Sequence, residues 1–367
     1  MTDLRILISG GGTGGHLFPA IAIGEALQQR DPRINIHYMG STFGIEAEVL
    51  PVRGLPHTLV PIRGIQRSFS FKSLTQNVKL PMRYMKSIGI TQSLFHQFAP
   101  HIVVGTGGYA SAIPLKVAVR EQIPILLQEQ NSYPGITTRW YASKAKTVCI
   151  AFEEAKKYLN RDCDLTGNPI RKGIQNGDRL KAFSTFNLNP EKRTVFLFGG
   201  SQGSAALNKV MNKAVEILSK KEIQVLWQTG HWQYQEYRHH DSDMVRVLPF
   251  IDHMAEAYAL ADIIISRAGA LTLSEITLCG KPSILVPFPA AAGDHQMKNA
   301  QSLIHENAAV MIEESALSAT ELSHMVMKLF QKKGALQTMA THSTSLGKPD
   351  ATESIVNHIL ALANPNV

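Results

Sequence analysis

The chain has 367 residues, more than one hydrophobic core commonly supports, so two domains are expected. Hydrophobic residues make up 44% of it and charged residues 18%, proportions that exclude a disordered or fibrous protein. The three cysteines are far apart and in no metal-ligand spacing, which favours a reducing compartment. No apolar run approaches the roughly 18 residues that a membrane span needs, and the N-terminus has no signal-peptide pattern. We therefore expect a soluble, cytosolic protein.

The net charge of +8 is unevenly distributed along the chain. Between Glu48 and Glu121 there is no acidic residue, and the positive excess of this stretch is as large as that of the whole chain. Charge concentrated in this way indicates a polyanionic partner, which could be phosphate groups, nucleic acid or an anionic membrane. The basic residues of the stretch are Arg53, Arg63, Arg67, Lys72, Lys79, Arg83, Lys86, Lys116 and Arg120.

In chain order, a unit recurs in which a short apolar strand is followed by a glycine-rich turn and a helix. The predicted strands are residues 4–8, 34–39, 102–104, 195–198, 263–265 and 283–287. Strands that alternate with helices indicate parallel sheets covered on both faces. The sequence therefore predicts an α/β protein with two Rossmann-like, doubly wound domains facing a cleft, one over 1–163 and the other over 164–345. A final helix, within 346–367, is expected to pack back on the first domain.

The first glycine-rich turn raises the alternative of a dinucleotide-binding enzyme. Gly10, Gly12 and Gly15 satisfy the G-x-G-x-x-G pattern between a strand and a helix. That function also needs an acidic residue at the end of the second strand, to bind ribose hydroxyls. The second strand ends instead in Gly40 and Ser41. The pattern therefore predicts a phosphate site at a helix N-terminus, without assigning its ligand.

Seven motifs occur together and in order from residue 8 to about residue 300. They are GGTGGH at 11–16, GGYAS at 107–111, EQN at 129–131, GNPIR at 167–171, GGSQG at 199–203, ALTLSE at 270–275 and DHQ at 294–296. This ordered set resembles the MurG family, whose members have the GT-B fold and complete the disaccharide of the peptidoglycan lipid precursor. The resemblance implies inverting transfer of N-acetylglucosamine from UDP-N-acetylglucosamine to the muramyl 4-hydroxyl of undecaprenyl-diphospho-muramoylpentapeptide, which converts lipid I to lipid II.

The resemblance also implies roles for individual residues. His16 is the catalytic residue, either as general base or by orienting the acceptor's diphosphate. Glu275 is expected to bind the ribose, and Ile251 to meet uracil through its backbone. The residues implied for the acceptor's diphosphate are Gly12, Gly107, Gly108 and Tyr109. Those implied for the donor are Thr13, Gly14, Gly15, Asn131, Arg171, Ser201, Ile251, Ala270, Leu271, Thr272, Leu273, Ser274, Glu275 and Gln296.

Four of these roles have a structural alternative. His16 could be a capping or packing histidine, and Glu275 an acid that stabilises the first turn of a helix. Asn131 and Gln296, the residues implied for N-acetylglucosamine, could bind only local backbone groups. Arg171 and Ser201 are implied for the donor's diphosphate, and for Arg171 the bidentate geometry of a guanidinium supports that role independently.

Two Asp-x-Asp triplets, at 162–164 and 241–243, suggest a metal-dependent transferase. Both lie in polar stretches and neither ends an apolar strand, so we interpret them as solvated loop acids. The histidines at 231, 239 and 240 have no ligand spacing. We expect neither a metal nor any other cofactor.

Apolar and basic residues alternate within the acid-free stretch. One interpretation is an amphipathic helix whose apolar residues lie in the core and whose lysines are exposed to solvent. The other is a membrane patch on the cytoplasmic face of the inner membrane, where basic side chains bind anionic lipid. No recognition motif supports nucleic acid. The residues predicted for the patch are Phe69, Phe71, Lys72, Leu74, Lys79, Met82, Arg83 and Lys86.

Three alternative functions stay open at this point. A UDP-N-acetylglucosamine 2-epimerase would share the fold and the donor site but needs no membrane patch. A non-catalytic nucleotide-sugar-binding protein would bind the donor without turnover. A nicotinamide dehydrogenase is disfavoured by the missing acid after the second strand.

Overall fold

The computed structural model of the chain describes residues 4–64 and 78–363, and the chain divides into two compact units. The first unit ends at Pro169 and takes up the chain again at Asp350, while the second spans Ile170–Pro349. The division predicted after residue 163 lies slightly upstream, because a short strand at Asp164–Leu165 still pairs with the first sheet.

The first unit contains a seven-stranded parallel sheet in the order β3-β2-β1-β4-β5-β6-β7. Its strands are β1 (Arg5–Ser9), β2 (Asn35–Ser41), β3 (His57–Val60), β4 (Ile102–Gly105), β5 (Ile125–Glu129), β6 (Thr147–Ile150) and β7 (Asp164–Leu165). Its helices up to the division are α1 (Gly14–Arg30), α2 (Glu46–Val52), α3 (Leu80–Phe98), α4 (Ala112–Arg120), α5 (Ile136–Tyr141) and α6 (Lys156–Leu159). The order places β1 between β2 and β4, so the turns after these three strands meet at one edge of the sheet.

The second unit contains a six-stranded parallel sheet in the order β10-β9-β8-β11-β12-β13. Its strands are β8 (Arg193–Phe198), β9 (Ile223–Gln228), β10 (Val245–Leu248), β11 (Ile263–Ser266), β12 (Ser283–Leu285) and β13 (Val310–Met311). Its helices are α7 (Arg179–Phe186), α8 (Ala205–Ser219), α9 (Tyr234–Tyr237), α10 (Met254–Leu260), α11 (Ala270–Leu278), α12 (His295–His305), α13 (Ala319–Gln331) and α14 (Ala335–Leu346). β8 has the same position in this order as β1 has in the first.

Both sheets are covered on both faces, which explains why their strands are apolar without alternation. In β1, Ile6 and Ile8 belong to one hydrophobic cluster and Leu7 to another on the opposite face, and all three are fully buried. The last helix, α15 (Ala351–Ala363), contributes Ile355 and Ile359 to the same cluster as Ile6. The predicted doubly wound, parallel fold is confirmed for each unit.

Short 3-10 helices supplement these elements at Tyr109–Ser111, Ala142–Lys144, Glu153–Ala155, Arg238–His240, Ala292–Asp294 and Glu314–Ala316. Across the described parts of the chain, none of the helices combines the length and the apolarity needed to cross a membrane.

Candidate active site

The first glycine turn, residues 10–13, connects β1 to α1. Thr13 is extended and precedes Gly14, the first residue of α1, and its side chain makes no capping hydrogen bond. The amide groups of a helix's first turn have no partner within the helix and carry partial positive charge. Because Thr13 and Gly15 are exposed, this end of α1 can receive an anion. The predicted phosphate turn therefore has the required backbone, within the first unit.

A buried carboxylate, Glu46, holds the first glycine turn from behind. Its Oε2 accepts the N–H of Gly12 at 2.8 Å, and its Oε1 accepts the N–H of Ser41, at the end of β2, at 2.9 Å. A Cβ on Gly11 would lie 2.3 Å from Oε1, and one on Gly44 would lie 2.2 Å from Oε2. The glycines around Glu46 are thus required by the space its carboxylate fills.

This contact changes the role predicted for Gly12. The backbone N–H of Gly12 is donated to Glu46 and is not offered to a phosphate. An anion at this turn would instead meet Thr13 and the first turn of α1. Glu46 is also the first acid after β2, and it binds backbone inside the fold, where the ribose of a dinucleotide could not reach it. This role is not visible in the sequence, because it depends on a contact between residues 34 positions apart.

The second glycine turn, residues 106–108, follows β4 and packs against the first. Gly107 and Gly108 have φ angles of 93° and 78°, a conformation that favours glycine. A Cβ on Gly108 would lie 2.0 Å from the carbonyl oxygen of Gly11, and one on Gly107 would lie 2.9 Å from Cδ2 of His16. The fold therefore brings His16 and both glycine turns together.

Tyr109 covers the first glycine turn. A Cβ on Gly12 would lie 2.7 Å from Cε1 of Tyr109, so the ring is in contact with this glycine. Burial raises the pKa of Tyr109 and the charge of Glu46 adds to the increase, while a hydrogen bond with Ser41 and the charge of Arg63 oppose it. The phenol is therefore a neutral hydrogen-bonding group at the edge of the turn.

A second buried carboxylate, Glu129, fixes Asn131 after β5. Its Oε1 accepts the backbone N–H of Asn131 at 3.1 Å and the side-chain amide at 3.3 Å, and its Oε2 accepts the N–H of Gly135 at 3.0 Å. Burial raises the pKa of Glu129, and hydrogen bonds from Thr138, Asn131 and Gly135 oppose the increase. Asn131 therefore has a fixed amide orientation within the first unit.

The third glycine turn, residues 199–203, follows β8 in the second unit. Gln228, at the end of β9, donates its Nε2 to the carbonyl of Gly200 at 3.0 Å and accepts the N–H of Ile251 at 2.9 Å. Ile251 is therefore left with its carbonyl as the backbone group that can meet a base. Ser201 is exposed on this turn. Gln228 was not among the predicted residues, although it connects Ile251 to the turn that carries Ser201.

Arg267, immediately after β11, forms hydrogen bonds with two other loops of the second unit. It is 8% exposed, and its Nε donates to the hydroxyl of Ser204 at 3.0 Å. Its Nη1 donates to the carbonyls of Val286 and Pro287, each at 3.2 Å, and its Nη2 pairs with Glu314. The guanidinium thus fixes the loops after β8 and β12 next to the start of α11.

Glu275 lies on α11 with its carboxylate between two partners. Oε2 accepts the hydroxyl of Tyr258 at 2.8 Å, and Oε1 lies 3.8 Å from Nε of Arg171. Burial raises the pKa of Glu275, while the charge of Arg171 and the hydrogen bond from Tyr258 oppose the increase. The predicted ribose ligand and the predicted diphosphate ligand are therefore adjacent in the second unit.

The other predicted donor residues of this unit lie on α11 and α12. Ala270 begins α11, Leu271, Thr272 and Ser274 are half-buried, and the side chain of Leu273 is fully buried in the core. Gln296, in the first turn of α12, accepts the N–H of Phe288 through Oε1 at 3.0 Å. Its amide nitrogen is therefore the group that Gln296 can direct to a sugar.

In each of the two Asp-x-Asp triplets, one aspartate lies next to a basic side chain of its own unit. Asp241 accepts from Nη1 of Arg246 and from the N–H of Val247, at 2.8 and 3.0 Å. Asp164 lies in β7, 4.0 Å from His358. Within residues 4–64 and 78–363, no group of three or more His, Cys, Asp or Glu side chains could hold a metal ion.

Part of the predicted membrane patch lies at the start of α3. Met82 is 77% exposed and Met85 66%, so neither belongs to a core face. Lys79 and Lys86 are exposed beside them, and the guanidinium of Arg83 lies 4.9 Å from the ring centre of Phe43. Four further residues of the predicted patch lie outside the described residues: Phe69, Phe71, Lys72 and Leu74.

The comparisons with known proteins agree with this arrangement. The glycosyltransferase family 28 N-terminal domain matches residues 6–150, and its C-terminal domain matches residues 194–355. A relative from Flavobacterium psychrophilum, named UDP-N-acetylglucosamine--N-acetylmuramyl-(pentapeptide) pyrophosphoryl-undecaprenol N-acetylglucosamine transferase, is 37% identical over 99% of this chain and 98% of its own. The chain belongs to the MurG family.

The solved structures sharpen this assignment. MurG of Acinetobacter baumannii has a TM-score of 0.80 and 27% identity, covering 98% of this chain and 99% of its own. The UDP-GlcNAc 2-epimerase from Neisseria meningitidis, bound to UDP-GlcNAc, has a TM-score of 0.63 at 13% identity, covering 97% of this chain and all of its own, a likeness of fold alone. The predicted family, the two-domain fold and the class of hexosyltransferase are confirmed, and the epimerase is not favoured.

Proposed function

We propose that this chain transfers N-acetylglucosamine from UDP-N-acetylglucosamine to the muramyl 4-hydroxyl of a polyprenyl-diphosphate-linked muramoylpentapeptide. The observation that carries the proposal is 37% identity, over nearly the whole of both chains, to a relative named for this transfer. The geometry supports it, because the residues implied by the family are clustered at the carboxyl ends of the two sheets.

The donor is proposed to bind the second unit. Glu275 accepts hydrogen bonds from the ribose hydroxyls, and the carbonyl of Ile251 accepts the N–H of uracil. Arg171, Ser201 and the first turn of α11 face the diphosphate, where a guanidinium and helix amide groups stabilise negative charge. In this unit Gln296 contacts the sugar through its side-chain amide nitrogen.

The acceptor is proposed to bind the first unit, with its diphosphate at the two glycine turns and Tyr109. His16 then either removes the proton of the muramyl hydroxyl or orients the acceptor's diphosphate. A positioned general base contributes on the order of 100- to 10,000-fold to a rate. The hydroxyl attacks the anomeric carbon with inversion, and the negative charge on departing UDP is stabilised by helix amide groups and Arg171.

The test is release of UDP from UDP-N-acetylglucosamine, measured with and without a lipid-linked muramoylpentapeptide acceptor, and in the presence of EDTA. We expect release that requires acceptor and survives EDTA, and that falls at least 100-fold in His16→Ala while UDP-N-acetylglucosamine binding is retained. Release without acceptor would identify an epimerase or a hydrolase. Donor binding with no release would identify a non-catalytic binding protein.

The chain is also proposed to bind the cytoplasmic face of the inner membrane through the start of α3. Exposed methionines can enter the headgroup region, and each basic residue near an anionic surface contributes about 1 kcal/mol. We expect the triple variant Lys79→Gln, Arg83→Gln, Lys86→Gln to lose at least tenfold in affinity for phosphatidylglycerol vesicles.

The matched control carries the same loss of charge at Lys209 and Lys213, on α8, and at Lys220, directly after it, all three exposed in the second unit. It should bind vesicles as the unchanged protein does. Equal losses in the two triple variants would mean that net charge alone causes binding. Binding to neutral phosphatidylcholine that salt does not weaken would contradict the electrostatic contribution.

A further inference from the structure

The backbone of His16 has a side-chain partner outside its own helix. The hydroxyl of Thr106, the first residue of the second glycine turn, donates to the carbonyl oxygen of His16 at 2.7 Å. The same hydroxyl oxygen lies 3.5 Å from the carbonyl of Ser9, at the end of β1. Thr106 is fully buried, so this hydroxyl has no access to solvent.

The first glycine turn is shaped to admit this hydroxyl. A Cβ on Gly10 would lie 1.8 Å from Oγ1 of Thr106, which is far inside van der Waals contact. Gly10 has no positive φ angle, so its backbone conformation does not demand glycine. The close approach of Thr106 is therefore a sufficient reason for glycine at position 10.

Thr106 is itself held by a buried amide network. Gln130, 2% exposed, donates its Nε2 to the carbonyl of Thr106 at 2.8 Å. The side-chain amide of Gln128 donates to Oδ1 of Asn168 at 2.9 Å, and Nδ2 of Asn168 donates to the carbonyl of Gln130 at 3.1 Å. Buried polar networks whose members satisfy one another fix the parts they connect. This network fixes the end of β5 and the second glycine turn together.

We infer that Thr106 is a positioning residue for His16. Gln130 fixes the backbone of Thr106, and the Thr106 hydroxyl in turn fixes the carbonyl of His16. These two contacts set the distance between the first turn of α1 and the second glycine turn, and therefore the position of the imidazole relative to Gly107. This inference rests on the proposed function of His16. Thr106 lies beneath the turn, and its effect on the reaction is exerted through the His16 backbone.

The test compares Thr106→Val, which keeps the shape and removes the hydroxyl, with Thr106→Ser, which keeps the hydroxyl. One lost hydrogen bond and a small displacement of His16 should lower kcat about tenfold in Thr106→Val, with KM for UDP-N-acetylglucosamine within about twofold. Thr106→Ser should retain kcat within about threefold. If Thr106→Val does not fold, Thr106→Ala gives the same comparison.

Thr91→Val is the matched control in the same unit. Thr91 is also fully buried, and its hydroxyl also donates to a backbone carbonyl at 2.7 Å, that of Ser87 on α3. With a short-chain, detergent-dispersed acceptor, it should lower the unfolding temperature about as much as Thr106→Val and leave kcat unchanged.

Equal kcat values for Thr106→Val and Thr91→Val would overturn the inference. So would an equal loss in Thr106→Ser and Thr106→Val, since packing of the methyl group would then be the cause. Failure of the proposed function is distinguishable, because in that case the unchanged protein shows no acceptor-dependent release of UDP.

Discussion

The first glycine turn (residues 10–13) and the third (199–203) follow strands at the same position in their sheets, yet groups of opposite charge hold them. Behind the first turn is the carboxylate of Glu46, which accepts the N–H of Gly12. Beside the third, the guanidinium of Arg267 donates to Ser204, where α8 begins.

The difference follows from which backbone groups each turn leaves available. A carboxylate can only accept hydrogen bonds, so it uses up N–H groups, the donors that bind a phosphate. A guanidinium can only donate, so it satisfies oxygen atoms and leaves N–H groups available. Gln228 and Arg267 therefore hold the third turn through oxygen atoms and take up none of its N–H groups, whereas Glu46 takes up the N–H of Gly12. A stronger contribution from backbone amides is expected at the third turn.

The largest effect is expected where the cation is removed. Arg267→Met leaves Glu314 without its partner and two carbonyls without a donor, which should destabilise the second unit by about 3 kcal/mol. UDP-N-acetylglucosamine affinity should fall with it. Urea denaturation can be followed by the fluorescence of Trp227, which is buried in this unit, after Trp140 and Trp232 are replaced by phenylalanine.

Arg193→Met is the control for this experiment. Arg193 is an exposed cation of the same unit, and its Nη1 donates to the carbonyl of Phe330 at 2.9 Å. A surface change of this kind usually alters stability by about 0.5 kcal/mol. Comparable losses in the two variants would show that Arg267 has no special part in holding the loops.

A smaller effect is expected from neutralising the anion behind the first turn. Glu46→Gln turns one acceptor into an NH₂ group that faces a backbone N–H, which should cost about 2 kcal/mol. The acceptor KM should rise more than the donor KM, because Glu46 holds the glycine turn that is proposed for the acceptor's diphosphate. Circular dichroism during urea denaturation and steady-state kinetics measure the two effects.

Glu48→Gln tests whether charge alone is responsible. Glu48 lies two positions along α2 and is exposed, so its loss changes the net charge equally without touching the turn. Glu46→Gln should therefore be clearly less stable than Glu48→Gln. A donor KM that rises as much as the acceptor KM in Glu46→Gln would contradict the assignment of this turn to the acceptor.

Sequence analysis predicted the elements that local patterns specify. The six strands that were named, the glycine turns and the helices after them were correct, because burial on both faces and positive φ angles leave a direct mark on residue type. Seven of the strands that the structure describes were not named: β3, β5, β6, β7, β9, β10 and β13. Among these, Asp164–Leu165 has two exposed residues and carries no periodicity. For the same reason the first unit ends at Pro169, six residues after the predicted division.

The groups that hold the site were not predictable in the same way. Glu46, Gln228 and Arg267 each act on a partner between 19 and 63 positions away, as with Val286 and Ser204 for Arg267. Such contacts depend on which strands are neighbours, and sequence order does not give strand order. The available sign of these contacts was the glycine residue type at positions 10, 11 and 44. None of the three has a positive φ angle, and the space beside each is filled by Thr106 or Glu46.

The smallest expected effect concerns the other buried carboxylate of the first unit. Burial raises the pKa of Glu129 above its ordinary value of 4.5. Between pH 4.5 and the raised pKa, the folded protein therefore holds a proton that the unfolded chain has released. The contribution of Glu129 to stability is therefore highest below pH 4.5 and falls as the pH rises to the raised pKa. Glu129→Gln has no proton to release and lacks this decline.

The measurement is the urea midpoint of the unchanged protein and of Glu129→Gln between pH 4 and 8, about the range in which a buried carboxyl titrates. The stability of the variant relative to the unchanged protein should increase with pH, because the other titrating groups cancel in the difference. Glu121→Gln, at an exposed position, should give a flat difference. A flat difference for Glu129→Gln as well would mean that the hydrogen bonds from Asn131 and Gly135 offset the burial of the charge in full.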